Sequence, residues 1–235
     1  MSTQAPGSGL QAPGLALIRL GEVDSTQAFL RRHPELGFSA VMAESQTEGR
    51  GRQGHRWESA PGAGLWLSAA IPPPELPPGV VLQRAMDAVI EVLGPTGADL
   101  GLKWPNDLVA RREGRLVKLG GIIGERTGGR MILGLGVNLL AAPALEARAF
   151  PASSLRELGV PAPEALPLAL AVLERWRRLE SIGPSGFRWP GEGEALSWEG
   201  GQGVCLGWEE DGRLKVAAAA GVQRLSAGDV RGLHA

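Results

Sequence analysis

The stretch LVKLGGIIGERTGGRMILGLGVN, residues 116–138, decides the fold class of this 235-residue chain. It contains two apolar segments, residues 116–125 and 131–138, which predict buried strands. Upstream, residues 80–93 repeat apolar side chains at helical spacing, and residues 163–181 predict a second long helix downstream. Strands and helices do not alternate in a regular βαβ rhythm. Their order therefore predicts an α+β fold, or an α/β fold with a mixed sheet.

The two ends of the chain differ in composition from this central part. Residues 1–14 are rich in Gly, Pro and Ser and predict a flexible tail, so the main domain is expected over residues 15–190. Residues 191–235 contain short apolar runs separated by Gly and Asp turns, which is typical of a small all-β module. Because a module of roughly forty residues buries little core alone, we expect it to pack against the main domain.

Charge and cysteine content exclude several classes of protein. The chain has 24 basic and 25 acidic residues, so it lacks the broad basic surface of a general DNA-binding protein. The single Cys205 excludes an intramolecular disulfide and a cysteine-based zinc site, and the three histidines are far apart. No apolar stretch reaches the ~20 residues of a membrane helix, and no secretory signal is visible. We expect a soluble, cytoplasmic protein without DNA or membrane partners.

A glycine- and arginine-rich loop, residues 46–57, is the first segment that suggests chemistry. Residues 49–54 match the pattern G-x-G-x-x-G, but the following WESAPG cannot form the helix that a dinucleotide site requires. Glycines still allow close approach of the backbone, and the arginine forks suit phosphate oxygens. The side chains available for phosphates and for stacking on a base are Arg50, Arg52, Arg56 and Trp57. The other interpretation is a solvated basic loop with a tryptophan in the core.

Four further segments have both a structural and a functional interpretation. KWPND at 103–107 places a lysine and two polar side chains at what is also an ordinary turn sequence. KLGGIIGE at 118–125 puts a lysine and two glycines in an apolar strand, which indicates a nearby ligand or a bulge. GLGVN at 134–138 has glycines in another strand, which leave space beside it, and the Asn138 side chain could bind a base or a metal. DST at 24–26 is typical of a helix cap.

Taken together, in this order and spacing, the five segments resemble the biotin–protein ligase family. The resemblance covers most of residues 20–140, and residues 191–235 are similar to that family's small C-terminal barrel. It implies a mixed-sheet catalytic domain flanked by helices, of the class II synthetase type, followed by an SH3-like β-barrel. Few residues precede Asp24, so the resemblance implies a ligase-only form without the family's DNA-binding domain.

The resemblance also implies a two-step reaction. The carboxylate of biotin attacks the α-phosphate of Mg-ATP, which gives biotinyl-5′-adenylate and pyrophosphate. A lysine of a biotin carboxyl carrier domain, as in acetyl-CoA carboxylase, then attacks the mixed anhydride. The implied small molecules are ATP, Mg²⁺ and biotin, and a homodimer is an assembly that the family often adopts.

The functional positions of the family correspond to individual residues of this chain. The implied catalytic residues are Lys118, Arg52 and Asp107. The implied biotin contacts are Ser25, Thr26, Gln27, Gln46, Arg50, Gly51, Arg52, Lys118, Gly121 and Gly136. The implied ATP contacts are Arg52, Arg56, Trp57, Lys103, Asn106, Lys118 and Asn138. No protein ligand is assigned to the metal. Gln27 stands where the family commonly has Asn, and Gln53 and His55 depart from a loop that is often more basic.

Two other functions fit the same residues. A lipoate–protein ligase would share the fold and the adenylation step, although its basic loop usually differs from residues 49–52 of this chain. A non-catalytic biotin or nucleotide sensor, or a docking module, is the second alternative. The presence of both Lys118 and Lys103 favours an active enzyme.

Overall fold

The computed structural model of the chain describes residues 10–12, 15–143 and 150–233. Residues 10–12 of the expected flexible tail form a strand, β1 (Leu10–Ala12), so the prediction fails there. This strand is held by antiparallel pairing with the strand that begins at Leu15, which satisfies its backbone groups. The other residues of the expected tail lie outside the described residues.

The described part of the main domain is built on one nine-stranded sheet with the order β1-β2-β3-β4-β8-β7-β6-β5-β9. After β1, its strands are β2 (Leu15–Val23), β3 (Ser39–Gln46), β4 (Gly64–Ile71), β5 (Leu100–Lys103), β6 (Asp107–Arg112), β7 (Arg115–Thr127), β8 (Arg130–Asn138) and β9 (Phe187–Trp189). The pairs β2–β3 and β5–β9 are parallel, whereas the other neighbours are antiparallel. The predicted α+β fold with a mixed sheet is confirmed.

Helices cover both faces of this sheet. They are α1 (Thr26–Arg32), α2 (Pro78–Leu93) and α3 (Ala165–Trp176). Helices α2 and α3 bury their apolar sides, including Val89 and Val172, in the larger core on one face. Helix α1 packs on the opposite face, where Leu30 contacts a small core that contains Val41 and Ile132. No helix in the described ranges is long and apolar enough to cross a membrane.

Three elements differ from the sequence-based expectation. The predicted helix over residues 163–181 is shorter, because Arg178 leaves the helical region (φ −127°, ψ 35°) and residues 179–181 form a separate 3₁₀ turn. Strand β6 was not predicted, because it starts at the polar turn residue Asp107. Strand β9 was not predicted either, because three residues are too few for a periodic pattern.

The C-terminal module is a five-stranded antiparallel sheet with the order β13-β12-β11-β10-β14. Its strands are β10 (Ala195–Trp198), β11 (Gly201–Trp208), β12 (Leu214–Ala218), β13 (Gly221–Leu225) and β14 (Arg231–Gly232). This arrangement is consistent with an SH3-like module, although the strand pairing of the described residues does not close it into the expected barrel. As expected, the module packs on the main domain. Trp104, fully buried, lies in the module's core beside Leu196 and Val216, and its Nε1 donates to the carbonyl of Gly212 (3.0 Å).

Candidate active site

A cavity of about 240 Å³ lies on the α1 face of the large sheet. Gly121, Gly134 and Gly136 line it where β7 and β8 cross its floor, and their missing side chains leave the space above the strands. The N-terminus of α1, the loop of residues 46–57 and the turn between β5 and β6 surround the cavity. A loop of the C-terminal module completes the wall.

Hydrogen bonds join four side chains at one end of the cavity. The backbone N–H of Thr26 donates to Oε1 of Gln46 (2.9 Å), and Nε2 of Gln46 donates to Oγ of Ser59 (2.8 Å). The hydroxyl of Thr26 lies 2.8 Å from that of Ser68 on β4. Helix α1 and strands β3 and β4 thus contribute to one neutral, polar end of the cavity.

The two residues on either side of Thr26 have different roles in the fold. Ser25 is the N-cap of α1, and its Oγ accepts from the backbone N–H of Ala28 (3.4 Å). Gln27 reaches the cavity floor, because its Oε1 lies 3.1 Å from the Cβ position that a side chain at Gly134 would occupy. The structure therefore uses Ser25 in the cap, as a DST sequence predicts, and leaves the Gln27 amide at the cavity.

The basic loop is folded back on itself. The N–H of Gly51 donates to the carbonyl of His55 (2.7 Å), and Arg50 forms a backbone bridge with Arg56. Gly49 packs against the carbonyl of Trp57 so closely that a Cβ would clash, which explains a glycine at this position. This folding directs several side chains of the loop toward the cavity.

Arg52 connects the loop to both domains. Its Nη1 lies within hydrogen-bonding distance of Oδ1 of Asn106 (3.3 Å) and of the Gly228 carbonyl (3.2 Å). Burial lowers the pKa of this guanidinium below its usual value, against the opposing influence of Asp107 and Asp229. A cation that gives up part of its hydration has more to gain from a bound anion.

Two lysines share the carboxylate of Asp107. The Nζ of Lys118 donates to Oδ1 (2.6 Å), and the Nζ of Lys103 lies 3.7 Å from Oδ2. The side chain of Lys103 is only 3% exposed, so nearby carboxylates replace the water around its ammonium group. Its closer partner is Asp229, at 2.9 Å, from the loop before β14.

The same contact with Lys103 lowers the pKa of the Asp229 carboxyl group. Burial alone would raise its pKa, but Lys103 and Arg231 outweigh burial, and the pKa lies below its ordinary value. Asp229 is therefore ionised next to the lysine at neutral pH. The C-terminal module supplies a charge to the candidate site.

The indole of Trp57 lies directly over Gly136. A Cβ at Gly136 would be 2.5 Å from Nε1 of Trp57, so only glycine allows this contact. The ring meets Trp66 edge-on (centroids 6.4 Å apart) and lies 5.7 Å from Nζ of Lys118. Its Nε1 is buried and has no hydrogen-bond partner among the described residues.

Nearly all of the residues singled out in the sequence lie together at this cavity. Those that line it are Ser25, Thr26, Gln27, Gln46, Arg50, Gly51, Arg52, Arg56, Trp57, Lys103, Asn106, Asp107, Lys118, Gly121 and Gly136. Asn138 does not. It is 2% exposed, and its Nδ2 donates to the carbonyl of Ser153 (3.1 Å) in a segment that packs beside β7. Its Oδ1 has no partner among the described residues.

The sequence did not reveal several residues of the cavity wall. Ser68 had one signal, because it is a lone polar residue in the apolar strand LWLSAAI. Phe150, Gly228, Asp229 and Arg231 had none, since they come from distant parts of the chain that only the fold brings to the site.

The donor set fits a metal ion only in part. In the described ranges, no group of three or more His, Cys, Asp or Glu side chains lies together as a metal site. The carboxylate of Asp107 is already engaged by Lys118 and Lys103. Asp107 and Asp229 therefore suit a magnesium ion that keeps most of its ligands from water and phosphates, which is its usual preference.

Comparison with known proteins places this geometry in a family. Residues 21–140, about half of the chain, match the model of the biotin/lipoate A/B protein ligase family. The chain belongs to this family. The matched region contains α1, the basic loop and strands β3–β8, which together supply most of the cavity.

Individual ligases are similar over larger parts of the chain. The biotin–[acetyl-CoA-carboxylase] ligase of Mycobacterium tuberculosis is 31% identical over 211 residues, which cover 81% of this chain and 77% of that protein. The bifunctional ligase/repressor BirA of Escherichia coli is 36% identical over 139 residues, 55% of this chain and 42% of BirA. The biotin protein ligase of Aquifex aeolicus, solved in complex with biotin and ATP, superposes with a TM-score of 0.73 at 27% identity and covers 92% of this chain and 98% of that one.

Proposed function

We propose that the chain is an ATP-dependent ligase that activates biotin as biotinyl-5′-AMP and transfers it to a lysine of a biotin carboxyl carrier domain. The observation that carries the proposal is the cavity itself. A neutral hydrogen-bonding end around Thr26 and Gln46 lies in the same cavity as a cationic end around Lys118 and Lys103. A ligand with a polar uncharged ring and a carboxylate matches that arrangement, and the relative from Aquifex aeolicus was solved with biotin and ATP.

The first step brings two anions together, the carboxylate of biotin and the triphosphate of ATP. Their repulsion must be offset by fixed cations in a site with little water. Arg52, Lys103 and Lys118 line the same part of the cavity and supply such charges. In this step a carboxylate oxygen bonds to the α-phosphorus, the bond to the β-phosphate oxygen breaks, and pyrophosphate leaves with the electron pair.

We assign Lys118 to the reacting centre, because it lines the cavity beside Asp107. One N–H of its ammonium group bonds to Asp107, which leaves two donors for other oxygens. We assign these donors to the biotin carboxylate and to the α-phosphate. Asp107 holds the ammonium group in place.

The remaining contacts divide between the two ligands. We assign to biotin the polar end and the floor: Ser25, Thr26, Gln27, Gln46, Gly121 and Gly136, with Arg50, Gly51 and Arg52 closing over it. We assign Arg56, Trp57, Asn106 and Lys103 to ATP. The face of Trp57 suits stacking on adenine. Asn138 does not line the cavity, and its contact with adenine stays a prediction.

Magnesium would enter with the phosphates of ATP, with Asp107 and Asp229 as the nearest carboxylates on the protein. When bound, it would neutralise phosphate charge during the first step. Arg52 and the lysines of this chain neutralise the same charge from the protein side.

In the second step the amine of the carrier lysine attacks the acyl carbon of the adenylate. A carbon–nitrogen bond forms, the bond from that carbon to the phosphate oxygen breaks, and AMP leaves. The ammonium ion of the carrier lysine gives one proton to solvent before the neutral amine attacks, and the nitrogen releases a second proton to solvent as the amide forms. A carboxylate nearby attracts the incoming ammonium ion and orients it. We assign this role to Asp107, at the turn between β5 and β6. The basic loop would keep water from the anhydride.

The family relationship supports a biotin-dependent carboxylase as the source of the carrier domain. We propose residues 15–190 as the catalytic domain and residues 191–235 as the accessory module. A reaction that consumes ATP favours the cytoplasm, and a homodimer stays a prediction.

One assay tests the proposed function against a lipoate ligase and a non-catalytic sensor. The protein is incubated with ATP, Mg²⁺, a biotin carboxyl carrier domain, and either biotin or lipoate. We expect a mass increase on one carrier lysine in the reaction with biotin and none in the reaction with lipoate. Modification with lipoate alone would establish the other ligase activity, and binding of biotin without modification would establish a sensor.

A further inference from the structure

Two side chains outside the assigned biotin contacts complete a hydrogen-bond chain at the polar end of the cavity. The chain runs from Ser59 through Gln46 and Thr26 to Ser68. Ser59 is 5% exposed and Ser68 is fully buried, so neither hydroxyl is free to exchange partners with bulk water. The directions of these bonds are therefore a property of the folded protein.

The orientation of the Gln46 amide follows from the backbone. The backbone N–H of Thr26 can only donate, so the Gln46 atom 2.9 Å away must be the carbonyl oxygen. The amide nitrogen then points at Ser59 and donates to its Oγ (2.8 Å). No amide flip is compatible with both contacts.

The orientation of the two hydroxyl groups follows from that amide. Oε1 of Gln46 can only accept, so the hydroxyl of Thr26 donates to it (3.1 Å). Oγ1 of Thr26 then has no proton left for Ser68, and the 2.8 Å contact between them must be a bond donated by Ser68. Both hydroxyl protons are donated within this series of hydrogen bonds. The hydrogen-bonding positions that Thr26 and Ser68 have left are lone pairs, which can only accept.

These lone pairs border the space above the cavity floor. Ser68 is the cross-strand partner of Gly134, and a Cβ at Gly134 would lie 3.4 Å from its Oγ. A ligand ring placed over Gly134 therefore meets oxygen atoms that can accept but not donate. A ring without N–H groups would remove these acceptors from water without giving them a hydrogen bond, which weakens its binding.

We propose that Ser68 is a specificity-determining residue, because its donated bond holds the Thr26 hydroxyl in the orientation that Gln46 sets and leaves only acceptors at this end of the cavity, which selects rings carrying N–H donors. The inference rests on the proposed function, in which that ring is the cyclic urea of biotin. It also separates the two ligase activities, because a dithiolane ring such as that of lipoate has no N–H to offer.

A double-mutant cycle tests the proposal. Dissociation constants for biotin, without ATP, are measured by calorimetry for the parent protein, Ser68→Ala, Thr26→Val and the double variant. We expect Ser68→Ala to weaken biotin binding about tenfold. Because Ser68 acts through Thr26, we expect the double variant to bind no more weakly than Thr26→Val alone. Ser39→Ala is the matched control, since Ser39 is buried, lies outside the cavity and has no hydrogen-bond partner for its Oγ in the described ranges.

A second ligand separates recognition from general damage to the site. Biotin methylated on a ureido nitrogen should bind the parent protein more weakly than biotin does, and Ser68→Ala should reduce that difference. Should Ser68→Ala fail to fold, Ser68→Cys takes its place, with a smaller loss because a thiol is a weak donor.

The outcomes distinguish the inference from the proposed function. Absence of biotin binding by the parent protein would overturn both. Tight binding by the parent protein, combined with parent-like binding by Ser68→Ala or additive losses in the cycle, would overturn the inference alone.

Discussion

The Nζ of Lys103 lies 2.9 Å from Oδ1 of Asp229, and this contact joins strand β5 of the large sheet to the loop before β14 of the small one. The two residues are 126 positions apart in sequence. A buried cation of the candidate site is thus held by a carboxylate from the other module.

Asp229→Asn should slow adenylate formation more than it affects stability. The change removes the nearest countercharge of Lys103, which then turns toward Asp107 and away from its place at the phosphates. We expect the KM for ATP to rise on the order of tenfold and the free energy of unfolding to fall by at most about 1 kcal/mol, because Asp229 is half-exposed. Pyrophosphate release at varied ATP measures the first effect. An unchanged KM for ATP together with an unchanged kcat would contradict this role.

Lys118→Ala should abolish the first step and leave the fold intact. The ammonium group is the closest cation to Asp107 and our candidate for bridging the reacting oxygens, so its loss should reduce adenylate formation at least about 100-fold. Lys215→Ala is a control, because that lysine lies on β12 and does not line the cavity. Pyrophosphate release close to that of the parent protein would rule out the assigned role of Lys118.

Gly136→Ala should displace the indole of Trp57. The added methyl group would lie 2.5 Å from Nε1, so the ring must move or the strand must shift, at a cost of about 1–3 kcal/mol in stability. We expect weaker ATP binding and a changed tryptophan emission spectrum. Gly21→Ala is the matched control, because nothing lies within 4 Å of a Cβ at that position. ATP affinity equal to that of the control would show that the indole position does not matter for the nucleotide.

Asp24 should make the protein sensitive to strong acid. Its hydrogen bond to Arg32 is the main cause of a pKa lowered from 3.8 to about 2. Because the pKa is lower in the folded state, the stabilisation is complete above pH 4 and is lost as the pH falls toward 2. Denaturant titrations of the parent protein and Asp24→Asn should therefore converge in this range. The exposed pair of Asp99 with Arg111 provides the control variant Asp99→Asn. Parallel stability curves for the parent protein and Asp24→Asn down to pH 2 would refute the assignment.

Local patterns predicted the elements that carry a clear period or a cap. Helix α2 was visible because Val81, Ala85 and Val89 recur at helical spacing, and they are buried in the structure. The start of α1 was visible because Ser25 is a good cap residue. Strands β7 and β8 could be predicted because their long apolar runs favour buried strands.

Site residues could be predicted where a short segment of sequence contains the functional side chains. They could not be predicted where contacts between distant segments determine which side chains meet. Lys118 and Asp107 were both singled out, but only the pairing of β6 with β7 shows that they form one ion pair. Asn138 was expected at the nucleotide because the family resemblance implies it. Its amide is instead bonded to Ser153, a contact that no local pattern encodes. Asp229 could not be predicted for the same reason, because its contact with Lys103 joins residues that are far apart in sequence.

The position of Trp104 has a consequence for the unfolding behaviour of the chain. The residue belongs to the turn after β5, yet its side chain fills the core of the C-terminal sheet. Opening the small sheet would expose a tryptophan anchored in the large one, so neither is expected to melt on its own. The two modules should lose structure in a single cooperative transition, and a chain cut after residue 190 should be prone to aggregation.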